Sequence, residues 1–137
     1  MKALHLLVVL SLVFATAPAK AELPPQVYVE LQQKAGEALK IRVDEVDSKP
    51  KGLLDRSSFT ETVKATVLEV IRSQSGVKKG DVITIRYQRQ APRNDISGPS
   101  PAPQLKAGKE YPAYLAKRED GTFSIGARGM SFSKVGE

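Results

Sequence analysis

The chain has 137 residues and a formal net charge of +6, it contains no cysteine, and its one histidine is His5. Without cysteine it can form no disulfide and offers no thiol nucleophile. Without a second histidine it lacks the imidazole pairs that zinc sites commonly use. These counts exclude disulfide-scaffold, thiol-enzyme and multi-histidine metal proteins.

Residues 1–21 have the pattern of a secretory signal peptide. A positively charged start precedes an apolar run over 3–14, and two A-x-A patterns follow. Cleavage is predicted after Ala21, with Ala19 as the alternative. We therefore expect an exported protein, periplasmic or secreted, whose single mature domain is 22–137. The leader is too short to span a bilayer comfortably, so no transmembrane segment is expected after cleavage, although an uncleaved N-terminal anchor is the alternative.

A short amphipathic helix is predicted over residues 25–35. Pro24 and Pro25 stand at its start, Gly36 lies just beyond its end, and apolar residues recur at spacings near three and four. Proline at the first helical positions and glycine past the last one are typical of helices. A strand over residues 27–31 is the alternative, because valine and tyrosine favour strands.

Two strands are predicted next, separated by a loop. Residues 39–43 alternate apolar with charged side chains, which indicates a strand with one solvent-facing side. Residues 47–56 contain proline, glycine and several charges and predict a loop. The second strand covers residues 60–72, and its alternation slips at Leu68. A phase break inside a long strand indicates a β-bulge, which bends the strand.

A third strand is predicted over residues 82–88, after a glycine-bracketed turn at 76–81. Tyr87 shares the apolar phase of this strand, so we expect it in the core. Residues 89–108 contain four prolines and predict a long irregular connection outside the sheet.

The last two strands are predicted as a hairpin. They cover residues 109–117 and 122–132, and Asp120 and Gly121 form the turn between them. Pro112 places the fourth strand at an edge or a strand start. Five strands, one bulged, with a single N-terminal helix predict a mainly β protein folded as a small five-stranded OB-like barrel. A five-stranded sandwich is the alternative.

The second half of the chain resembles the netrin-like module, the OB-type barrel found in the N-terminal domain of tissue inhibitors of metalloproteinases. The resemblance rests on the strand phrase at 63–71, on the Gly80-Asp81 turn, and above all on the L-x-x-G-x-x-Y phrase of Leu105, Gly108 and Tyr111. It implies a netrin-like barrel with an extracytoplasmic interaction role. Those inhibitors use an N-terminal cysteine and disulfides against the protease zinc. This chain has no cysteine, so protease inhibition is not implied.

A basic surface is the main candidate for ligand or partner contact. Several basic residues flank the third and fourth predicted strands, Lys117 and Arg118 among them, and they would form one patch if those strands lay close together. OB-type barrels bind oligonucleotides and oligosaccharides on such faces. Export makes nucleic acid an unlikely partner and favours an anionic glycan or another envelope or extracellular protein. The candidate contact residues are Lys78, Lys79, Arg86, Arg89, Arg93, Lys109 and Tyr114.

These observations predict a non-enzymatic binding or protein-interaction module without cofactor or metal. The proline-rich segment 89–104 is the best candidate for contact with a protein partner, and a stiff barrel crossover is its alternative interpretation. An anionic glycan-binding domain is the second functional hypothesis. A carboxylate-dependent hydrolase is the weaker third, because the acidic group formed by Asp44, Glu45 and Asp47 is more typical of a solvated strand end.

Overall fold

The computed structural model describes residues 23–91 and 101–135. The predicted signal peptide, its cleavage points and Arg93 lie outside the described residues, as does the middle of the proline-rich segment. All of the secondary structure given below therefore belongs to the predicted mature domain.

Five strands close into one barrel in the order β1-β2-β3-β5-β4. All neighbours are antiparallel except β3 and β5, which run parallel and pair at Ile85 and Phe123. The prediction of a mainly β, small five-stranded OB-like barrel is confirmed, and the sandwich alternative is not observed. The strands are β1 (Glu37–Pro50), β2 (Ser58–Ser73), β3 (Val82–Gln90), β4 (Glu110–Lys117) and β5 (Phe123–Ile125).

Three register shifts interrupt the pairing of β1 with β2. Two of them leave an extra residue on β2, Leu68 and Ile71, and the third leaves Asp44 extra on β1. Extra residues increase the local twist and bend a strand, which lets a long pair wrap around a small barrel. The predicted bulge at Leu68 is therefore confirmed. The loop predicted over 47–56 starts too early, because backbone pairing with β2 continues through polar residues as far as Pro50.

Alternate residues of each strand fill the barrel interior, as the period-two pattern requires. Tyr87 lies among them, which confirms its predicted place in the core. The segment after the proline-rich region also contributes, because Leu105 is buried in the same cluster. The interior strand residues are Leu39, Ile41, Val43, Val63, Ala65, Val67, Ile83, Ile85, Tyr87, Ala113, Leu115 and Phe123.

The fifth strand is much shorter than predicted, because it ends at Ile125. A side chain at Gly126 would place its Cβ 3.0 Å from the Cβ of Ala35 and 3.1 Å from the carbonyl oxygen of Tyr114. Glycine thus permits a close approach between this segment, β4 and the end of the N-terminal helix. The chain leaves the sheet at that point, and pairing stops.

The residues after β5 fold back onto the barrel end. A single 3-10 turn at Arg128–Met130 reverses the chain, and Phe132 then enters the core. Its ring lies 5.6 Å from that of Tyr87 and 6.5 Å from that of Tyr111, measured between centroids. The apolar alternation that suggested a long fifth strand therefore comes partly from residues that close the barrel end.

The predicted N-terminal helix is confirmed as α1 (Pro25–Lys34). The Gln32 side-chain amide donates to the carbonyl of Met130 at 2.8 Å. The guanidinium of Arg72 on β2 donates to the carbonyl of Ala35 at 2.7 Å, and so caps the helix C-terminus. The helix is therefore fastened to both β2 and the C-terminal segment. Within residues 23–91 and 101–135, no helix is long and apolar enough to cross a membrane.

We expect Ile85→Ala to destabilise the domain by about 2–5 kcal/mol, because it opens a cavity in the fully buried centre of β3. Val82→Ala is the matched control on the same strand. Val82 is 68 % exposed, so its truncation is expected to change stability by about 0.5 kcal/mol at most. Urea denaturation followed by circular dichroism measures both. Equal effects of the two substitutions would contradict the assigned barrel interior.

Candidate functional site

A cleft of 320 Å³ lies on the outer face of β2 and β3, beside the turn that joins β4 to β5. Thr60 on β2, Arg86 and Gln88 on β3, and Arg118 after β4 line it, together with part of Tyr87. Its lining contains two guanidinium groups and no carboxylate. This composition suits an anionic ligand, since guanidinium binds carboxylate, sulfate and phosphate with paired hydrogen bonds.

The barrel order brings the two arginines together. Arg86 follows Ile85, which pairs with Phe123 of β5. Phe123 pairs in turn with Lys117 of β4, the residue before Arg118. Phe123 of the short β5 therefore pairs with both neighbouring strands, β3 at Ile85 and β4 at Lys117. Both arginines stand at the same height of the barrel, on its outer side.

Neutral polar groups complete the cleft. Gln88 lies directly opposite Thr60 in the β2–β3 pairing, and its side-chain amide donates to the Thr60 hydroxyl at 3.0 Å. This cross-strand hydrogen bond fixes the orientation of the Gln88 amide. The hydroxyl and the amide can each make a further hydrogen bond to a ligand.

Neither arginine of the cleft forms a close ion pair. Among the described residues, neither Arg86 nor Arg118 has a carboxylate oxygen within 4.0 Å. The nearby Asp120 is committed to its own turn, because the hydroxyl and the amide of Thr122 both donate to it. The hydroxyl of Thr122, then its amide and the charges of Arg118 and Arg86, hold the pKa of Asp120 below its usual value.

The structure does not gather most of the predicted contact residues into one patch. Lys78 and Lys79 lie in the turn that joins β2 to β3. Lys109 precedes β4, which neighbours β1 on the side away from β2. Tyr114 is half-buried within β4. Arg93 lies outside the described residues. Of the predicted set, Arg86 is in the cleft.

Arg89 takes part in a buried ion pair at the end of β3. Its Nε donates to Oε1 of Glu61 at 2.7 Å, and its guanidinium lies 4.6 Å above the ring of Phe59. Glu61 is fully buried, and its other oxygen accepts a hydrogen bond from the hydroxyl of Ser48. The guanidinium of Arg89 thus has two partners inside the fold, the carboxylate of Glu61 and the ring of Phe59.

Tyr87 connects the cleft with the core. Its hydroxyl donates to the carbonyl of Pro103 at 2.6 Å, which ties the end of the proline-rich segment to the barrel. Burial, and then the negative charge of Glu61, raise the pKa of Tyr87 above its usual value. The phenol therefore remains protonated near neutral pH and keeps donating this hydrogen bond.

The carboxylates considered for catalysis lie exposed along β1. Each has a lysine or arginine nitrogen within 4.0 Å, and Asp44 also accepts a hydrogen bond from Thr66, which lowers its pKa. In the part of the chain that the structure describes, no three His, Asp or Glu side chains are grouped so as to hold a metal ion. The three pairs are Asp44–Arg42, Glu45–Lys64 and Asp47–Lys49.

Sequence reasoning missed Thr60 and Gln88 as cleft residues and gave Arg118 only as a flanking residue. Alternation marks Gln88 as outward-facing, so a signal for its exposure exists. Nothing local in the sequence places Arg118 beside Arg86. Their proximity depends on β5 lying between β3 and β4, which is a property of the whole topology.

Comparison with models of protein families, with curated protein sequences and with solved structures finds no match. Function must therefore be argued from the geometry of this chain.

Removing Arg89 should expose its structural role. We expect Arg89→Met to destabilise the domain by about 3–5 kcal/mol, because it leaves the Glu61 carboxylate buried without its partner. The double variant Glu61→Leu/Arg89→Met should recover most of that loss, since an apolar pair can replace a buried ion pair. Urea denaturation at pH 7 measures both. A double variant no more stable than the single one would contradict this interpretation.

The turn at Asp120 should contribute a pH-dependent stability. Because folding lowers the pKa of Asp120, its contribution is present above the unfolded-state value of about 3.9 and is lost as pH falls through the folded value. Asp120→Asn should therefore lose less stability than the wild type between pH 5 and pH 2, measured as the urea midpoint. Glu119→Gln is the control, because Glu119 makes no hydrogen bond or ion pair within the described residues. Identical acid slopes for wild type and Asp120→Asn would refute this role.

Proposed function

We propose that this chain is an exported, non-enzymatic binding domain that takes up an anionic oligosaccharide at the cleft between Arg86 and Arg118. One observation carries the proposal: two guanidinium groups line one cleft, and among the described residues neither has a carboxylate oxygen within 4.0 Å. Charge-assisted, bidentate hydrogen bonds make such a pair selective for carboxylate or sulfate groups.

The position of the cleft on the barrel supports a binding role. OB-type barrels bind oligosaccharides and oligonucleotides on the face of strands two and three, with the loops that join strands one to two and four to five. Here Thr60, Arg86 and Gln88 belong to that face, and Arg118 belongs to the four-to-five connection. The cleft thus occupies the place where this architecture holds ligands.

The chemistry of the cleft favours a sugar over a nucleic acid. Binding of single strands relies on exposed aromatic rings on which bases stack. The aromatic residue of this cleft is Tyr87, which is only 5 % exposed because its ring packs in the core. The polar groups of Thr60 and Gln88 match hydroxyl-rich ligands instead. The predicted export points the same way, since nucleic acid is scarce outside the cell.

The proposal keeps the extracytoplasmic binding role that the netrin-like resemblance implies, with the acidic oligosaccharide as the ligand. The turn that carries the resemblance is held by local contacts: Leu105 is buried, Gly108 has a φ of 83°, and the hydroxyl of Tyr111 accepts a hydrogen bond from the amide of Lys106 at 3.0 Å. A positive φ at the third position of this turn favours glycine. These contacts define the turn through which the chain enters β4. A protein partner at segment 89–104 is the competing hypothesis.

The proposal of a non-enzymatic role is based on the groups that surround the acidic residues. A pair of catalytic carboxyls needs two groups that face each other across a cleft. Glu61 is committed to Arg89, and the exposed acids of β1 are paired with neighbouring basic residues. The cleft lining itself contains no carboxylate.

Calorimetric titration with an oligosaccharide of uronic acids tests this proposal, using the chain from Glu22 onward. We expect Arg86→Gln/Arg118→Gln to lower affinity at least about tenfold, because a hydrogen bond to a charged group contributes about 1.5–3 kcal/mol. Lys78→Gln/Lys79→Gln removes the same charge from the β2–β3 turn and should have a much smaller effect. A neutral oligosaccharide of equal length is the ligand control.

Salt dependence separates this proposal from the protein-partner hypothesis. Affinity for the acidic oligosaccharide should fall steeply as salt rises, whereas a largely apolar protein interface should change little. Equal weakening by the two double variants would mean that only net charge matters and would refute a site at the cleft.

A further inference from the structure

Two leucines stand in solvent at the tip of the β1–β2 loop. Residues 51–57 lie beyond the last strand pair, Pro50 with Phe59. Leu53 and Leu54 in this loop are 98 % and 101 % exposed, so their side chains contact essentially nothing. Single exposed apolar residues are ordinary, but two adjacent, fully exposed leucines indicate a contact that the isolated domain does not make.

The loop is held in place without help from the leucines. The amide of Lys51 donates to the carbonyl of Ser58 at 2.9 Å and closes the base of the loop. Asp55 accepts hydrogen bonds from both the amide and the hydroxyl of Ser57. Leu53 and Leu54 are therefore not needed to form the loop, and replacing them leaves its internal bonds in place.

Basic residues flank the leucines on both sides. Lys51 precedes them and Arg56 follows them, and among the described residues neither has a carboxylate oxygen within 4.0 Å. Asp55, the acidic residue of the loop, faces Ser57. The loop therefore combines two exposed leucines with two basic residues and one acidic residue, a net charge of +1. This combination complements a surface that is anionic outside and apolar beneath.

We propose that loop 51–57 inserts Leu53 and Leu54 into the interfacial layer of an anionic lipid membrane, while Lys51 and Arg56 contact the lipid phosphates. A lipid surface fits better than a protein groove because a stable protein interface buries about 800 Å² on each partner, far more than two leucine side chains offer. A fluid bilayer accepts so small an insertion. The proposal is independent of the cleft, since no residue of the loop lines it.

Vesicle sedimentation tests the proposal, using the chain from Glu22 onward, which contains every strand and helix described. We expect binding to vesicles of phosphatidylglycerol and phosphatidylcholine, with much weaker binding to phosphatidylcholine alone. Leu53→Ser/Leu54→Ser should lower the vesicle partition coefficient at least about tenfold, while the thermal midpoint stays unchanged. Lys51→Gln/Arg56→Gln should weaken binding to the anionic vesicles specifically.

Ile71→Ser/Val82→Ser is the matched control, because within residues 23–91 and 101–135 these are the other exposed large apolar residues, and both lie outside the loop. It should leave vesicle binding unchanged. The chain contains no tryptophan, so Leu54→Trp supplies a unique fluorescent reporter. Its emission should shift to shorter wavelength when anionic vesicles are added, whereas that of Val82→Trp should not.

Three outcomes would overturn the proposal. The wild-type domain does not bind anionic vesicles, or Leu53→Ser/Leu54→Ser binds them as well as the wild type does. In the third, the domain self-associates through the tip, seen as a concentration-dependent sedimentation coefficient that the leucine variant abolishes, without any vesicle binding.

Discussion

The barrel depends on β1 having two neighbours at once. Over Glu37 to Arg42, β1 pairs with β2 on one side and with β4 on the other, and this shared stretch closes the cylinder. Beyond Val43 the contact with β4 ends, while pairing with β2 continues to Pro50. The bulges at Leu68 and Asp44 provide the bend that both partnerships require. The exposed loop 51–57 follows from the same arrangement, because the β1–β2 hairpin extends past the closed part of the barrel.

A domain without disulfides must tie its loose segments by other means. Polar side chains do this at three places: Gln32 holds the C-terminal segment, Arg72 holds the helix end, and the Tyr87 hydroxyl holds the proline-rich segment. The Glu61–Arg89 pair belongs to the same group. A buried ion pair adds little net stability over an apolar pair, yet a broken one is costly. The pair joins β2 to β3 at the end of β3, since Glu61 belongs to β2 and Arg89 to β3.

Local sequence pattern predicted most of the fold. Alternation identified the strands, the phase slip at Leu68 identified the bulge, and Asp120-Gly121 identified the hairpin, because each reflects a backbone requirement of neighbouring residues. The length of β5 was wrong, because Phe132 keeps the apolar character of a strand residue although it closes the barrel end after a turn. The cleft could not be predicted, since the meeting of Arg86 with Arg118 is decided by strand order.

The cleft and the exposed leucines of loop 51–57 are suited to different kinds of contact. Arg86 stands on β3 between Ile85 and Tyr87, both buried, so the packed core fixes its backbone position. Such preorganisation lowers the entropy cost of binding and suits a small polar ligand that needs defined geometry. The leucines stand on a loop outside the core and need no defined partner geometry, because apolar burial is non-directional. The proposed ligand site therefore lies on a strand that the core holds rigidly, and the proposed membrane contact lies on a loop outside the core, as their different physical requirements demand.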